Sequence, residues 1–348
     1  MRNPSTLGSG KPGEALVRTA ESSGHLKRHF LVALLLLIVL PGAGAAQPPE
    51  PEPSQPPQDD LETIKVSVDL VVLHATVQKN RKRALVSGLG KEAFQVYEDG
   101  VLQEIHSFSH EDIPVTVGLV IDNSGSMIPK RREVIAAALA FARSSNPHDQ
   151  IFLVNFNENV SFGLPDNMPF TDSVGQLEVA LSRTAANGMT ALYDAVAAGL
   201  EHLKKGKQDK KVLIVISDGA DNASKLSLAE TMTMAQQSDA IIYTVGLFEE
   251  SDPDRNPGVL KKLAGATGGE AYLPWSAKEV VPVCERIASD IRNQYTLAYI
   301  PTNRKQDGTY RAIEVKAGGP GYGDLSVRTR AGYYAPLAPQ PLPATNPQ

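Results

Sequence analysis

Asp122, Ser124 and Ser126 stand at alternate positions directly after the apolar run 115–121. Gly125 between the two serines gives the chain freedom to curl, so that both hydroxyls can face one point. A second apolar run, 212–216, delivers Asp218 within Ser217-Asp218-Gly219, and Asn187-Gly188-Met189-Thr190 adds a third hydroxyl where a helical pattern begins. Two carboxylates and three neutral hydroxyls form an all-oxygen donor set, which suits a hard divalent cation: Mg²⁺ first, with Mn²⁺ or Ca²⁺ as alternatives. Two carboxylates balance a divalent charge with none left over. A cation that they hold partly through water stays electrophilic, and an Asp or Glu of another protein can complete its shell. The competing role for Ser124, Ser126 and Thr190 is structural, as caps of turns and helix starts.

Strands must place these loops side by side. Runs 115–121, 151–156, 212–216 and 241–245 are short, apolar and rich in β-branched residues, the pattern of strands buried on both faces. Helical periods separate them, at 134–142, 191–203 and 228–237, with a further helix near 277–292. Alternating strands and helices imply right-handed crossovers and an α/β, doubly wound, mainly parallel sheet. The loop after its first central strand opens into the ligand crevice of such a sheet. Residues 159–164 read as an antiparallel edge strand. On either side the chain is β-like. Apolar residues alternate from Ile64 to Val72, Asp99-Gly100 is a hairpin turn, and strand patterns return at 295–300, 310–316 and 325–330. Neither flank is long enough to enclose a core, and together they approach the roughly 100 residues of one sandwich.

The expected organisation is therefore a leader at 1–46, a Pro-rich acidic linker at 47–60, an N-terminal β segment at 61–113, the α/β domain at 114–292, a C-terminal β segment at 293–335 and a Pro-rich tail at 336–348. Lys27-Arg28-His29, the apolar run 30–40 and the small residues 41–46 follow the order of a secretory signal peptide. That run has 11 residues, short of the roughly 20 that a membrane-crossing helix needs. An extracytoplasmic protein, periplasmic or secreted, with no stable membrane span after cleavage is expected. Residues 47–60 hold six prolines and four acids, a tether with nothing to bury. The net charge of −5 argues against a nucleic-acid partner. Cys284 stands alone, which excludes an intrachain disulfide, a four-cysteine zinc site and a CxxC redox centre.

The five candidate ligands together resemble the metal-ion-dependent adhesion site of von Willebrand factor type A domains, an Asp-x-Ser-x-Ser element joined by a distant Thr and a distant Asp. Asp122, Ser124, Ser126, Thr190 and Asp218 match all five positions. The resemblance covers about residues 114–292. It implies that the serines, and in some states Thr190, bind the metal directly while the aspartates act largely through water. Met189 stands where relatives often carry a second Gly. The flanks, with Phe94-Gln95-Val96-Tyr97-Glu98-Asp99-Gly100 and Arg330-Ala331-Gly332-Tyr333-Tyr334, are similar to the bacterial secreted group called VWFA-related.

Other signals weigh less. Gly88-Leu89-Gly90-Lys91-Glu92-Ala93 fits a dinucleotide pattern but runs into a β-like segment instead of a helix. His106 and His110 could bind zinc only with further ligands from elsewhere and read as surface or packing residues, Lys204, Lys205, Lys207, Lys210 and Lys211 read as a solvated loop, and Cys284 as a packed thiol. The expected function is metal-dependent capture of an acidic partner residue, adhesion-like and without catalysis. The rivals are a metal-assisted hydrolase with Asp221 as its base, and a metal-free scaffold of a surface assembly.

Overall fold

Four strands in the middle of the chain have no exposed face. They are β6 (Thr116–Asp122), β7 (Gln150–Phe156), β9 (Lys211–Ser217) and β10 (Ala240–Gly246), and nearly every side chain in them is buried. Such strands need cover on both sides, and helices supply it. In chain order these are α1 (Arg131–Ser144), α2 (Val174–Arg183), α3 (Leu192–Leu203), α4 (Leu228–Gln237), α5 (Pro257–Ala266) and α6 (Val280–Arg292). The sheet is completed by β8 (Val160–Phe162), antiparallel to β7, and β11 (Ala271–Tyr272), parallel to β10. Its order is β11-β10-β9-β6-β7-β8. All other pairs are parallel, with Ile121 of β6 opposite Ile216 of β9 and Asn155 of β7. The fold is thus an α/β doubly wound sheet. The chain leaves β6 toward β7 on one side and returns as β9 on the other, so the switch point lies between the C-terminal ends of β6 and β9.

The computed structural model describes residues 70–79, 84–248 and 254–338. The leader, the Pro-rich linker, residues 61–69 and the tail from 339 lie outside these. The described residues all fall in one compact unit, Lys65–Gln348. Among them no helix is long and apolar enough to cross a membrane.

Strands from before and after the α/β layer share two further sheets. The first joins β1 (Val71–Lys79), β5 (Ile105–Ser109), β12 (Tyr295–Tyr299) and β14 (Leu325–Arg328) in the order β14-β1-β12-β5, with β2 (Ala84–Leu85) on β1. The second is β15-β13-β3-β4, built from β3 (Phe94–Glu98), β4 (Val101–Gln103), β13 (Tyr310–Ala317) and β15 (Gly332–Tyr334). Leu73, Val96, Tyr295, Leu297 and Val315 belong to the apolar cluster the two sheets share. Glu98 is buried beside that cluster because Tyr299 and Tyr333 donate their hydroxyls to its Oε2, at 2.7 and 3.0 Å.

The β sheets meet the α/β layer at polar contacts. Arg328 of β14 pairs with Asp290 of α6, which also accepts the Tyr243 hydroxyl at 2.8 Å. Gln294 bridges that hydroxyl to Thr76 of β1, at 3.2 Å on each side. Lys210, which the sequence places in a solvated run, is buried and donates to the Ile291 carbonyl, while Lys204 is exposed and pairs with Glu201. His110 stacks on Tyr295, and burial pushes the Cys284 thiol up to about 12.

His74 of β1 faces the same junction, with Nδ1 3.1 Å from Thr296 Oγ1. Burial, with Lys210 and Arg330 adding like charge, lowers its pKa from 6.5 to about 3. Between these values the unfolded chain binds a proton that folded His74 refuses, so stability is full above about pH 6.5 and declines as pH falls toward 3. Relative to His74→Phe, wild-type stability in urea is expected to drop by about 1.4 kcal/mol for each pH unit in that window. A difference that does not vary with pH would refute this.

Candidate metal centre

Asp122 is the last residue of β6, and Asp218 follows β9 by one residue, so the register of two adjacent parallel strands sets both carboxylates at the switch point. Asp122 is 2% exposed and Asp218 0%. Beyond Asp122 the chain turns into a short 3₁₀ helix, Gly125–Lys130, which carries Ser126 in its first turn and runs directly into α1. The Asp122 Oδ1 accepts the Ser124 amide at 2.8 Å, and its Oδ2 accepts the Ser217 hydroxyl at 2.6 Å. Ser124 and Ser126 hydroxyls lie 3.2 Å apart, and Ser126 Oγ donates to Asp218 Oδ2 at 2.5 Å. Four of the five residues singled out by sequence are therefore joined in one hydrogen-bonded cluster. Ser126 is exposed at its mouth, and Ser124 is buried.

Thr190 arrives by its loop. The Gly125 amide donates to the Gly188 carbonyl at 3.1 Å and the Asn187 amide to the Asn123 carbonyl at 2.8 Å, which lays residues 187–190 against the serine loop. On the other side the Thr190 amide donates to Asn222 Oδ1 at 2.8 Å, and its carbonyl accepts the Asn222 and Ala223 amides. Thr190 is thus buried between the Asp122 and Asp218 loops. Gly188 takes the left-handed turn, at φ +77°, and Met189 does not. Met in place of a second Gly therefore meets no backbone strain, and its side chain points outward, 54% exposed.

Two buried carboxylates face each other here. Burial raises the Asp122 carboxyl from 3.8 to about 6, and the charge of Asp218 adds to the rise, against hydrogen bonds from Ser124 and Ser217. Lys130 and Arg131, which follow in sequence, are hydrogen-bonded to neutral protein oxygens. Lys130 Nζ donates to the Leu247 carbonyl at 3.0 Å, and Arg131 to Asn123 Oδ1 and to the carbonyls of Leu181 and Thr184. Among the described residues no group of three or more His, Cys, Asp and Glu gathers where it could hold a metal. A cation at this point would rely on the hydroxyls, and the two carboxylates gathered with the Ser124 and Ser126 hydroxyls fit Mg²⁺ chemistry.

Ser217, Asn123, Asn222 and Glu158 stand outside the five-residue pattern, and their side chains hold the loops together. They carry no spacing signal, because each acts across 30 residues or more or through the backbone. Asp221, the candidate base of the hydrolase reading, anchors the start of α3 through one of its oxygens. Its Oδ1 accepts the Ser224 hydroxyl at 2.5 Å and the Tyr193 amide at 3.2 Å, satisfying the start of α3.

Residues 117–220 match the family model of the von Willebrand factor type A domain. An uncharacterized protein of Synechocystis sp. is 26% identical over 168 residues, 46% of this chain and 38% of that protein, so the match spans well under half of the relative. A von Willebrand factor type A structure from Catenulispora acidiphila shares 14% identity at a TM-score of 0.47, covering 78% of this chain and 74% of that one. The vWF domain of a type V pilus tip protein from Porphyromonas gingivalis shares 14% at a TM-score of 0.44, over 52% of this chain and 95% of that one. The matched residues run from the second position of β6 to the loop carrying Asp218, and the chain contains a von Willebrand factor type A domain.

Proposed function

We propose that this chain is an extracytoplasmic, metal-dependent protein-binding module, adhesion-like and without catalysis. In this reading Asp122, Ser124, Ser126, Thr190 and Asp218 hold a divalent cation, Mg²⁺ in the first place, that captures an Asp or Glu carboxylate of a partner. The observation that carries it is the pair of buried carboxylates, Asp122 and Asp218, linked at the switch point through the Ser124 amide and the Ser124 and Ser126 hydroxyls. The cation supplies a Lewis-acidic position for the incoming carboxylate. Asp122 and Asp218 supply the negative charge, Ser124 and Ser126 the neutral oxygens, and exposed Ser126 marks the side from which a partner approaches. The basic, apolar and small-residue order of 27–46 supports export.

Peptides displaying Asp or Glu, immobilised on beads, test it. The full chain is expected to be retained in Mg²⁺, released by EDTA, and not retained by the matching Asn or Gln peptides. Retention that ignores both EDTA and the amide replacement would contradict metal-linked capture.

A further inference from the structure

The loop that brings Thr190 to the site is fastened from outside the five-residue motif. Its backbone amides go to four different places. Asn187 donates to the Asn123 carbonyl, Thr190 to Asn222, Ala191 to the Asn157 carbonyl at 2.7 Å, and Met189 to Glu158 Oε2 at 2.9 Å. The Met189 bond is the one made to a carboxylate, the strongest kind of acceptor for an amide. Glu158 sits in the turn between β7 and β8. That turn is itself fixed, since Asn157 Oδ1 accepts the Asn159 amide at 2.9 Å and the Asn157 amide donates to the Asn159 carbonyl. A second strut joins Asn157 Nδ2 to Asn187 Oδ1 at 2.9 Å. The carboxylate also lies in the space that a side chain at Gly188 would fill, because a Cβ there would come within 1.8 Å of Glu158 Oε2.

We infer that Glu158 is the positioning residue of the Thr190 loop, clamping it to the β7–β8 hairpin in the conformation that sets Thr190 between the Asp122 and Asp218 loops and thereby setting the affinity for the cation. The affinity consequence rests on the metal-dependent reading of this site. The clamp itself is a property of the protein without metal. Glu158 acts through a hydrogen bond to the loop, and this separates it from a carboxylate that raises cation affinity by charge alone. Glutamine keeps an oxygen acceptor for the Met189 amide and removes the charge, while alanine removes both.

The test uses the full chain as wild type, Glu158→Gln and Glu158→Ala, with two readouts. Hydrogen exchange over residues 187–191 without metal reads the clamp, and calorimetric titration with Mg²⁺ reads the affinity. Glu158→Ala is expected to speed exchange of the Met189 amide about tenfold and to weaken Mg²⁺ binding about three- to tenfold. Glu158→Gln is expected to restore both to within about twofold of wild type. Unchanged exchange in Glu158→Ala would overturn the inference. So would a Glu158→Gln variant as weak in Mg²⁺ as Glu158→Ala, which would make the effect one of charge. Exchange that responds as expected in a wild-type protein that takes up no Mg²⁺ would overturn the link to affinity and the metal reading, leaving the clamp.

Discussion

Asp122→Ala is expected to abolish Mg²⁺-dependent capture of an acidic partner, a loss of at least about 100-fold, or roughly 2.7 kcal/mol, while the fold persists. The effect is large because Asp122 serves the site twice. Its carboxylate is one of two charges that balance a divalent cation, and its two oxygens hold the Ser124 amide and the Ser217 hydroxyl. The fold survives because the same carboxylate is a burden without metal, desolvated and repelled by Asp218, as its raised pKa of about 6 records. Removing it relieves that cost and orphans two donors, so a stability change within about 1 kcal/mol is expected without metal. Thermal melting separates the outcomes. Mg²⁺ raises the wild-type Tm by preferential binding to the native state, and Asp122→Ala melts at one temperature with or without the ion. Partner capture by a folded Asp122→Ala protein at wild-type strength would remove the metal from the mechanism.

Arg328→Met is expected to destabilise the chain by about 3–5 kcal/mol and leave the metal site intact. Asp290 is 1% exposed, and Arg328 is its cationic partner across the junction between α6 and β14. Without Arg328 the carboxylate keeps the Tyr243 hydroxyl but loses its charge balance in a dry setting. Arg328 also lies over the Tyr243 ring, at 5.6 Å, and 3.4 Å from Glu270. Replacing both partners, Arg328→Met with Asp290→Leu, is expected to recover part of the loss, since the buried Asp290 carboxylate goes with its cation while Glu270 still loses its contact to Arg328. Urea denaturation at neutral pH measures this. A single variant costing under about 1 kcal/mol, or a double variant no better than the single, would show that the pair does not hold the junction.

The central strands were legible because a strand buried on both faces has to be apolar throughout, and runs 115–121, 151–156, 212–216 and 241–245 are. Helices α3 and α4 were legible from their periods. Helices α2 and α5 passed unread. Each has a glycine in its first turn, and their start signals are the caps at Ser173 and Asn256, the latter followed by Pro257. The reading of Lys210 as solvated failed because burial there depends on the Ile291 carbonyl, 81 residues away. Asp122, Ser124, Ser126 and Asp218 could be grouped because loops at strand ends converge by topology. Glu158 could not, because its partner is a backbone amide, which every non-proline residue offers.

Calorimetric titration of Mg²⁺ into the metal-stripped full chain, beside Asp122→Ala, decides whether the Asp122 and Asp218 cluster holds a cation. Saturable uptake of one ion per chain, reversed by EDTA and lost in the variant, is the expected result. No uptake by the folded wild type, or equal uptake by Asp122→Ala, would contradict it.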